Sequence, residues 1–169
     1  ILRSECAYVK LAPSVLTISS RINTPDGGID ADIKVPTEYS MPTDCIFSSG
    51  LTGFQIKAGT TFKPWTPSGI NGELLDRAGN LKSEVGNFVR QRSQYVLICT
   101  GTDLTTQQRN EARSLIANVF SKKGFQKYEK RIDVLGAAQI AEYAERYPGV
   151  AAMLTTDPIQ EGWVLDDWQ

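Results

Sequence analysis

Five consecutive apolar residues, Tyr95-Val96-Leu97-Ile98-Cys99, constrain this chain more than any other stretch of it. A run that is apolar on both faces of a strand belongs inside a sheet covered on both sides. Shortly after it, Thr105 and Gln108 have capping-box spacing, and Ala112, Leu115, Ile116, Val119 and Phe120 form an apolar helical stripe that ends near Gly124. A strand around Lys130 to Leu135 and a helix from Ala137 to about Tyr147 repeat the unit, the helix carrying Ile140, Ala141 and Ala144 on one face. Strands that alternate with amphipathic helices define an α/β class, here expected as a central mixed sheet flanked by helices.

The first half reads differently. Leu2, Cys6, Val9 and Leu11 have roughly helical spacing, and Pro13 would stop a helix over Leu2 to Leu11. Thr24-Pro25-Asp26-Gly27-Gly28 is a turn, because proline presets one dihedral and glycine accepts positive φ. Ile29 to Val35 then alternates apolar and charged residues as a half-buried strand, which Pro36 ends. Leu51 to Ala58 predicts a second strand, with Phe54 and Ile56 turned to the core and Gln55 and Lys57 on the opposite face. Gly59 to Asn80, rich in Gly, Pro, Thr and Ser, reads as a long binding or mobile loop, and Ser83 to Gln91 as a helix.

With 169 residues, 41% of them hydrophobic, the chain supplies one core, and no internal repeat divides it. Residues 1–169 are therefore expected to form a single domain. A net charge of −1 names no partner. No apolar run approaches the roughly 18 residues of a membrane span and no signal-peptide pattern opens the chain, so a soluble, cytoplasmic protein is expected. Ile1 in place of an initiating methionine suggests a piece of a longer polypeptide. Cys6, Cys45 and Cys99 are odd in number and widely spaced, which favours free thiols over a disulfide framework or a zinc site. The sequence has no histidine, so imidazole bases, Ser-His-Asp triads and HExxH zinc sites are excluded.

What remains for chemistry is carboxylate, amide, amine and bound metal. If the strands bearing Asp30 and Gln55-Ile56-Lys57 pair, an acid, an amide and an ammonium meet at one sheet edge. Phosphodiester hydrolysis needs such a set: a carboxylate to hold Mg²⁺, an activated water, and a cation for the charge that builds on phosphorus. Each residue also has an ordinary reading. An aspartate after Gly-Gly often serves only its turn, and alternating Gln and Lys commonly line a solvated edge strand.

Pro25-Asp26-Gly27-Gly28-Ile29-Asp30-Ala31 followed by Gly53-Phe54-Gln55-Ile56-Lys57 resembles the core of the PD-(D/E)XK nuclease superfamily, in the QxK variant of Mrr-type restriction endonucleases. The resemblance implies a restriction-endonuclease-like three-layer fold and a Mg²⁺-dependent endonuclease, with Mn²⁺ as a substitute. In it Asp30 matches the metal-binding aspartate, Gln55 the position usually held by Asp or Glu, and Lys57 the catalytic lysine. Gln55 departs from the acidic version by one negative charge at the metal. An acid from the first helix often approaches the metal in that family, and Glu5 is the candidate here. Asp32 shares strand parity with Asp30 and is a possible support, whereas Asp26 and Asp44 read as structural. Residues 155–169, with Trp163 and Trp168, resemble a junction to further domains, such as the NTPase of a bacterial defence protein.

Charge is segregated along the chain. Asp26, Asp30, Asp32, Glu38 and Asp44 outnumber Lys34 in their segment, which suits a cation site. Lys63, Arg90, Arg92, Lys122, Lys123 and Lys127 are candidate phosphate contacts, since backbone neutralisation supplies most sequence-independent affinity for DNA. Lysines at a helix end also simply complement its dipole. Phe62 and Trp65 beside Lys63 either stack on a base or anchor the loop. The expectation is a DNA-cutting domain, dimeric or larger when it makes double-strand breaks. The alternative is a catalytically inactive nuclease-like module for DNA binding or assembly.

Overall fold

The structure, a computed structural model, describes residues 1–19 and 27–149. The turn residues Thr24 to Asp26 and the 155–169 junction lie outside the described residues.

The protein is an α/β structure built on a five-stranded mixed sheet. Its elements are α1 (Leu2–Tyr8), β1 (Leu16–Ile18), β2 (Ala31–Val35), β3 (Gly50–Lys57), α2 (Pro67–Leu74), α3 (Ser83–Arg90), β4 (Gln94–Cys99), α4 (Thr106–Lys122), β5 (Ile132–Leu135) and α5 (Ala137–Glu145). Strand order follows the chain, β1-β2-β3-β4-β5. The pairings of β1 with β2 and of β2 with β3 are antiparallel, and those of β3 with β4 and β4 with β5 are parallel. The change of sense at β3 goes with the connections: the first three strands run as an antiparallel meander, and helical crossovers carry the later ones forward.

Strand parity sorts the core into two layers. Ala31, Ile33, Val35, Phe54, Val96 and Ile98 face Cys6 and Val9 near α1 and the partly buried Ile140 and Tyr143 of α5. Tyr95, Leu97 and Cys99 face the other way, onto Ile70 and Leu74 of α2, Val85 and Val89 of α3, and Ala112, Ile116 and Phe120 of α4. Phe120 stands edge-on between Tyr95 and Tyr128, at centroid distances of 5.7 and 5.1 Å. That is the geometry the ring quadrupoles favour. The α4 capping box is formed, with Thr105 Oγ1 accepting from Gln108 N and Gln108 Oε1 from Thr105 N.

Several boundaries move. The first helix stops at Tyr8, where the chain turns through Lys10 at φ 57°, before Pro13 can act. A short edge strand, β1, follows a single 3-10 turn at Pro13–Val15 and has no counterpart in the sequence reading. A second 3-10 turn at Glu129–Arg131 delays β5 to Ile132.

The main correction is in the segment 59–80, expected as a loop. It contains α2, capped by Thr66 Oγ1 accepting from Gly69 N and opened by Pro67 at its first turn. Gly69 belongs there for space: a Cβ would lie 2.3 Å from the Lys63 carbonyl oxygen. Ile70 and Leu74, one turn apart, bury the helix against the sheet.

Candidate functional site

Asp30 is placed by the turn before it and the strand beside it. Gly28 takes φ +96°, a conformation that L side chains rarely adopt, and Gly27 O accepts from Val85 N of α3 at 3.3 Å. This docks the turn on α3 and delivers Asp30 to the start of β2. There its N–H donates to Phe54 O at 2.8 Å and its Oδ2 accepts from Ile56 N at 2.6 Å. The carboxylate thus takes over the β3 ladder where the β2 backbone leaves it. Asp30 and Asp32 both lie opposite in parity to the buried Ala31 and Ile33. A cleft of about 210 Å³ runs along them, bounded by Thr17, Glu84 and Phe88. Burial pushes the Asp32 carboxyl up, against a hydrogen bond with Thr17.

Gln55 is opposite in parity to Phe54 and faces the α2 layer, with 2% of its surface exposed. Both ends of its amide are engaged. Oε1 accepts from the buried Tyr95 hydroxyl, and Nε2 donates to Glu73 Oε2 at 2.8 Å. Lys57, one strand repeat further, brings Nζ to 2.6 Å from the same Glu73 oxygen, and Lys82 Nζ lies 4.0 Å from it. The sequence-predicted amide and amine are therefore brought together, and a carboxylate from α2 joins them. Asp30 stands beside this group on the neighbouring strand.

Glu73 escaped the sequence reading because its helix did. The signals were present: a Thr-Pro start and Ile70 and Leu74 at a spacing of one helical turn. Gly69 and Gly72, poor helix formers, masked them.

Burial holds the Tyr95 phenol well above its ordinary value, and Glu73 and then Asp30 push it further up. It therefore stays a neutral donor to Gln55 across the physiological range. Cys99, two strand repeats further along β4 on the same face, is raised to about 12, by burial first and then by Glu73, with Lys57 opposing. The three cysteines are free thiols.

Glu5 is not part of this site. It is fully buried on the opposite side of the sheet, where Tyr147 Oη donates to Oε1 at 2.8 Å and Arg146 Nη1 lies 3.8 Å from the same oxygen. The α1 helix packs on the layer of Ile33 and Phe54, so its acid cannot reach a point served by Gln55 and Lys57. Asp44 binds Arg146 at 3.1 Å, a structural contact.

The candidate phosphate contacts divide. Lys63 lies on the loop that leads from Lys57 into α2. Arg90, Arg92, Lys122, Lys123 and Lys127 are exposed near the other end of β4, where Arg131 Nη1 donates to Arg92 O and Tyr128 Oη donates to Ser93 O. Phe62 and Trp65 pack against the core, which makes them loop anchors.

The donors gathered here are mixed: the carboxylates of Asp30 and Glu73 suit a hard divalent cation better than a thiophilic one, while Gln55 turns its amide nitrogen to Glu73 and its oxygen to Tyr95. Among the described residues no group of three or more His, Cys, Asp or Glu is arranged to hold a metal, so an ion here would depend on this mixed set. No described helix is long and apolar enough to cross a membrane. Compared with known proteins, the chain matches no family model, no curated protein and no solved structure. Fold and site together define a class: an α/β protein with a five-stranded mixed sheet flanked by helices, carrying an acid, amide and amine group where β2 and β3 meet.

Proposed function

We propose that this chain is a Mg²⁺-dependent endodeoxyribonuclease domain of restriction-endonuclease-like fold, serving as the effector of a restriction or phage-defence protein. The observation that supports this most is the common placement of three side chains. Asp30 at the head of β2 and Gln55 and Lys57 on β3 occupy one face of paired strands, in the order that the PD-(D/E)XK resemblance requires.

In this reading Asp30 holds the divalent ion and Gln55 orders the groups around it. The ion, when bound, supplies a Lewis acid for phosphoryl oxygen and for water. Lys57 lays a positive charge where the phosphorane charge develops, and its amine hydrogens orient the attacking water. Lys63 meets the backbone near the cut, and the distal basic residues from Arg90 to Lys127 hold flanking duplex. Breaks in both strands require two such sites, so the active form would be a dimer or larger, controlled by further domains such as an NTPase.

Plasmid cleavage with Mg²⁺ or Mn²⁺ tests the reading. Asp30→Ala and Lys57→Ala are expected to abolish it with the fold intact, and unchanged cleavage by both variants removes the assignment. A second reading, a DNA-binding or assembly module that does not cut, draws on the engagement of both ends of Gln55 and of Lys57 by protein groups. DNA retention by the wild type without cleavage under either metal would favour it.

A further inference from the structure

We propose that Glu73 supplies the second carboxylate of this metal site and that Gln55 is the residue that positions it, an inference that rests on the divalent-ion reading above. An acid at position 55 would set two carboxylates at the 2.8 Å now spanned by Gln55 Nε2 and Glu73 Oε2. Without a bound ion, two carboxylates that close would share a proton, which an incoming ion would have to displace. The amide removes that conflict and donates to Glu73 instead. Its orientation is fixed, because the Tyr95 hydroxyl donates to Oε1 and leaves Nε2 facing α2, and the buried side chain has little room to turn. Glu73 is held from its own side as well: Leu74 next to it is fully buried, and Gly69 lets α2 close on the Lys63 carbonyl. Asp30 flanks Gln55 across the β2–β3 pairing, its Oδ2 accepting from Ile56 N, so both acids border the same amide. Lys57 at 2.6 Å marks Glu73 Oε2 as the oxygen that gathers positive charge there. The negative charge absent from position 55 is thus carried by a helix that the strand pattern does not announce.

The test is a Mn²⁺ titration of the purified chain without DNA, by calorimetry and electron paramagnetic resonance, on wild type, Glu73→Gln, Gln55→Glu and the swap Gln55→Glu/Glu73→Gln. Circular dichroism and thermal midpoints accompany it. Glu73→Gln is expected to weaken Mn²⁺ binding by about 10- to 100-fold, the range for groups that hold or orient a metal site. The swap keeps one acid and one amide across the same hydrogen bond and should recover most of the affinity, even if either single variant folds poorly. Wild-type affinity in Glu73→Gln, no recovery in the swap, or no Mn²⁺ bound by the wild type would each overturn the proposal. Cleavage is read separately. A wild type that binds Mn²⁺ through Glu73 yet leaves DNA intact sinks the nuclease reading alone, and a cleaving enzyme whose Mn²⁺ affinity ignores Glu73 sinks this inference alone.

Discussion

Two glutamates, Glu73 and Glu5, sit on opposite faces of one sheet, each tied to a tyrosine and a basic residue. Glu73 reaches Tyr95 through Gln55 and pairs with Lys57, while Glu5 bonds Tyr147 directly and lies near Arg146. The difference is access. The Glu73 and Lys57 side chains keep 19% and 30% of their surface exposed, whereas Glu5 keeps none. Arg146 also makes its nearer contact, 3.1 Å, with Asp44. Glu5 fastens α1 to the segment after α5, and its surroundings push the Cys45 thiol up to about 11 and raise Tyr147 as well, burial being the largest cause for both. A carboxylate becomes available for chemistry when its partners hold it at a rim, and becomes a strut when they enclose it.

The largest effect that separates the two clusters is on activity. Lys57→Ala is expected to lower DNA cleavage by about 10²- to 10³-fold, the usual cost of removing one preorganised group that stabilises transition-state charge. Its thermal midpoint should stay close to wild type, because an ion pair at the solvent-facing rim adds little to stability and Glu73 keeps its hydrogen bond from Gln55. Glu5→Gln should cleave normally. A folded Glu5→Gln protein that loses cleavage as heavily as Lys57→Ala would break the comparison outright.

Stability should respond in the opposite sense. Glu5→Ala removes a fully buried side chain and the acceptor of the part-buried Tyr147 hydroxyl, which costs about 1–3 kcal/mol in urea unfolding and leaves cleavage per folded molecule unchanged. Gly69→Ala comes next. Its Cβ meets the Lys63 carbonyl at 2.3 Å, and the overpacking, partly offset by better helix propensity, amounts to about 1–2 kcal/mol. Because α2 must shift, Gly69→Ala should also weaken Mn²⁺ binding, which Glu5→Ala should not. Equal Mn²⁺ affinity in both would show that α2 does not place Glu73.

The same contrast governs how much could be read beforehand. Tyr95 to Cys99 and the α4 stripe are dense local signals, and the structure repeats them nearly residue for residue. The parity of Asp30, Gln55 and Lys57 was legible because it needs only the period of a strand. Helix α2 was not, since its two anchors, Ile70 and Leu74, sit among glycines, and its packing against the sheet is a tertiary effect that overrides propensity. Glu5 was misplaced for a related reason. A sequence gives the existence of an amphipathic helix but not the sheet face it covers, and α1 covers the face that Gln55 turns away from.

The smallest effect is the most diagnostic, because the two clusters carry the same chemical group. Tyr95→Phe removes the donor to Gln55 Oε1 and is expected to cost about 1 kcal/mol at neutral pH. The sign with pH follows from the direction of the shift. The folded-state pKa of Tyr95 is raised, so the contribution of its phenol is complete below the unfolded value of about 10 and is lost as pH climbs above it, when the unfolded chain releases a proton that the folded chain retains. Tyr95→Phe lacks that loss, so the stability gap between wild type and variant should narrow in alkaline urea titrations; the other raised tyrosines, Tyr128, Tyr143 and Tyr147, are present in both proteins and cancel. Tyr147→Phe should show the same alkaline narrowing, since Tyr147 is raised too. Only Tyr95→Phe, by freeing the Gln55 amide to turn from Glu73, should also lower Mn²⁺ affinity and cleavage, and an equal loss of both in Tyr147→Phe would erase the distinction between rim and strut.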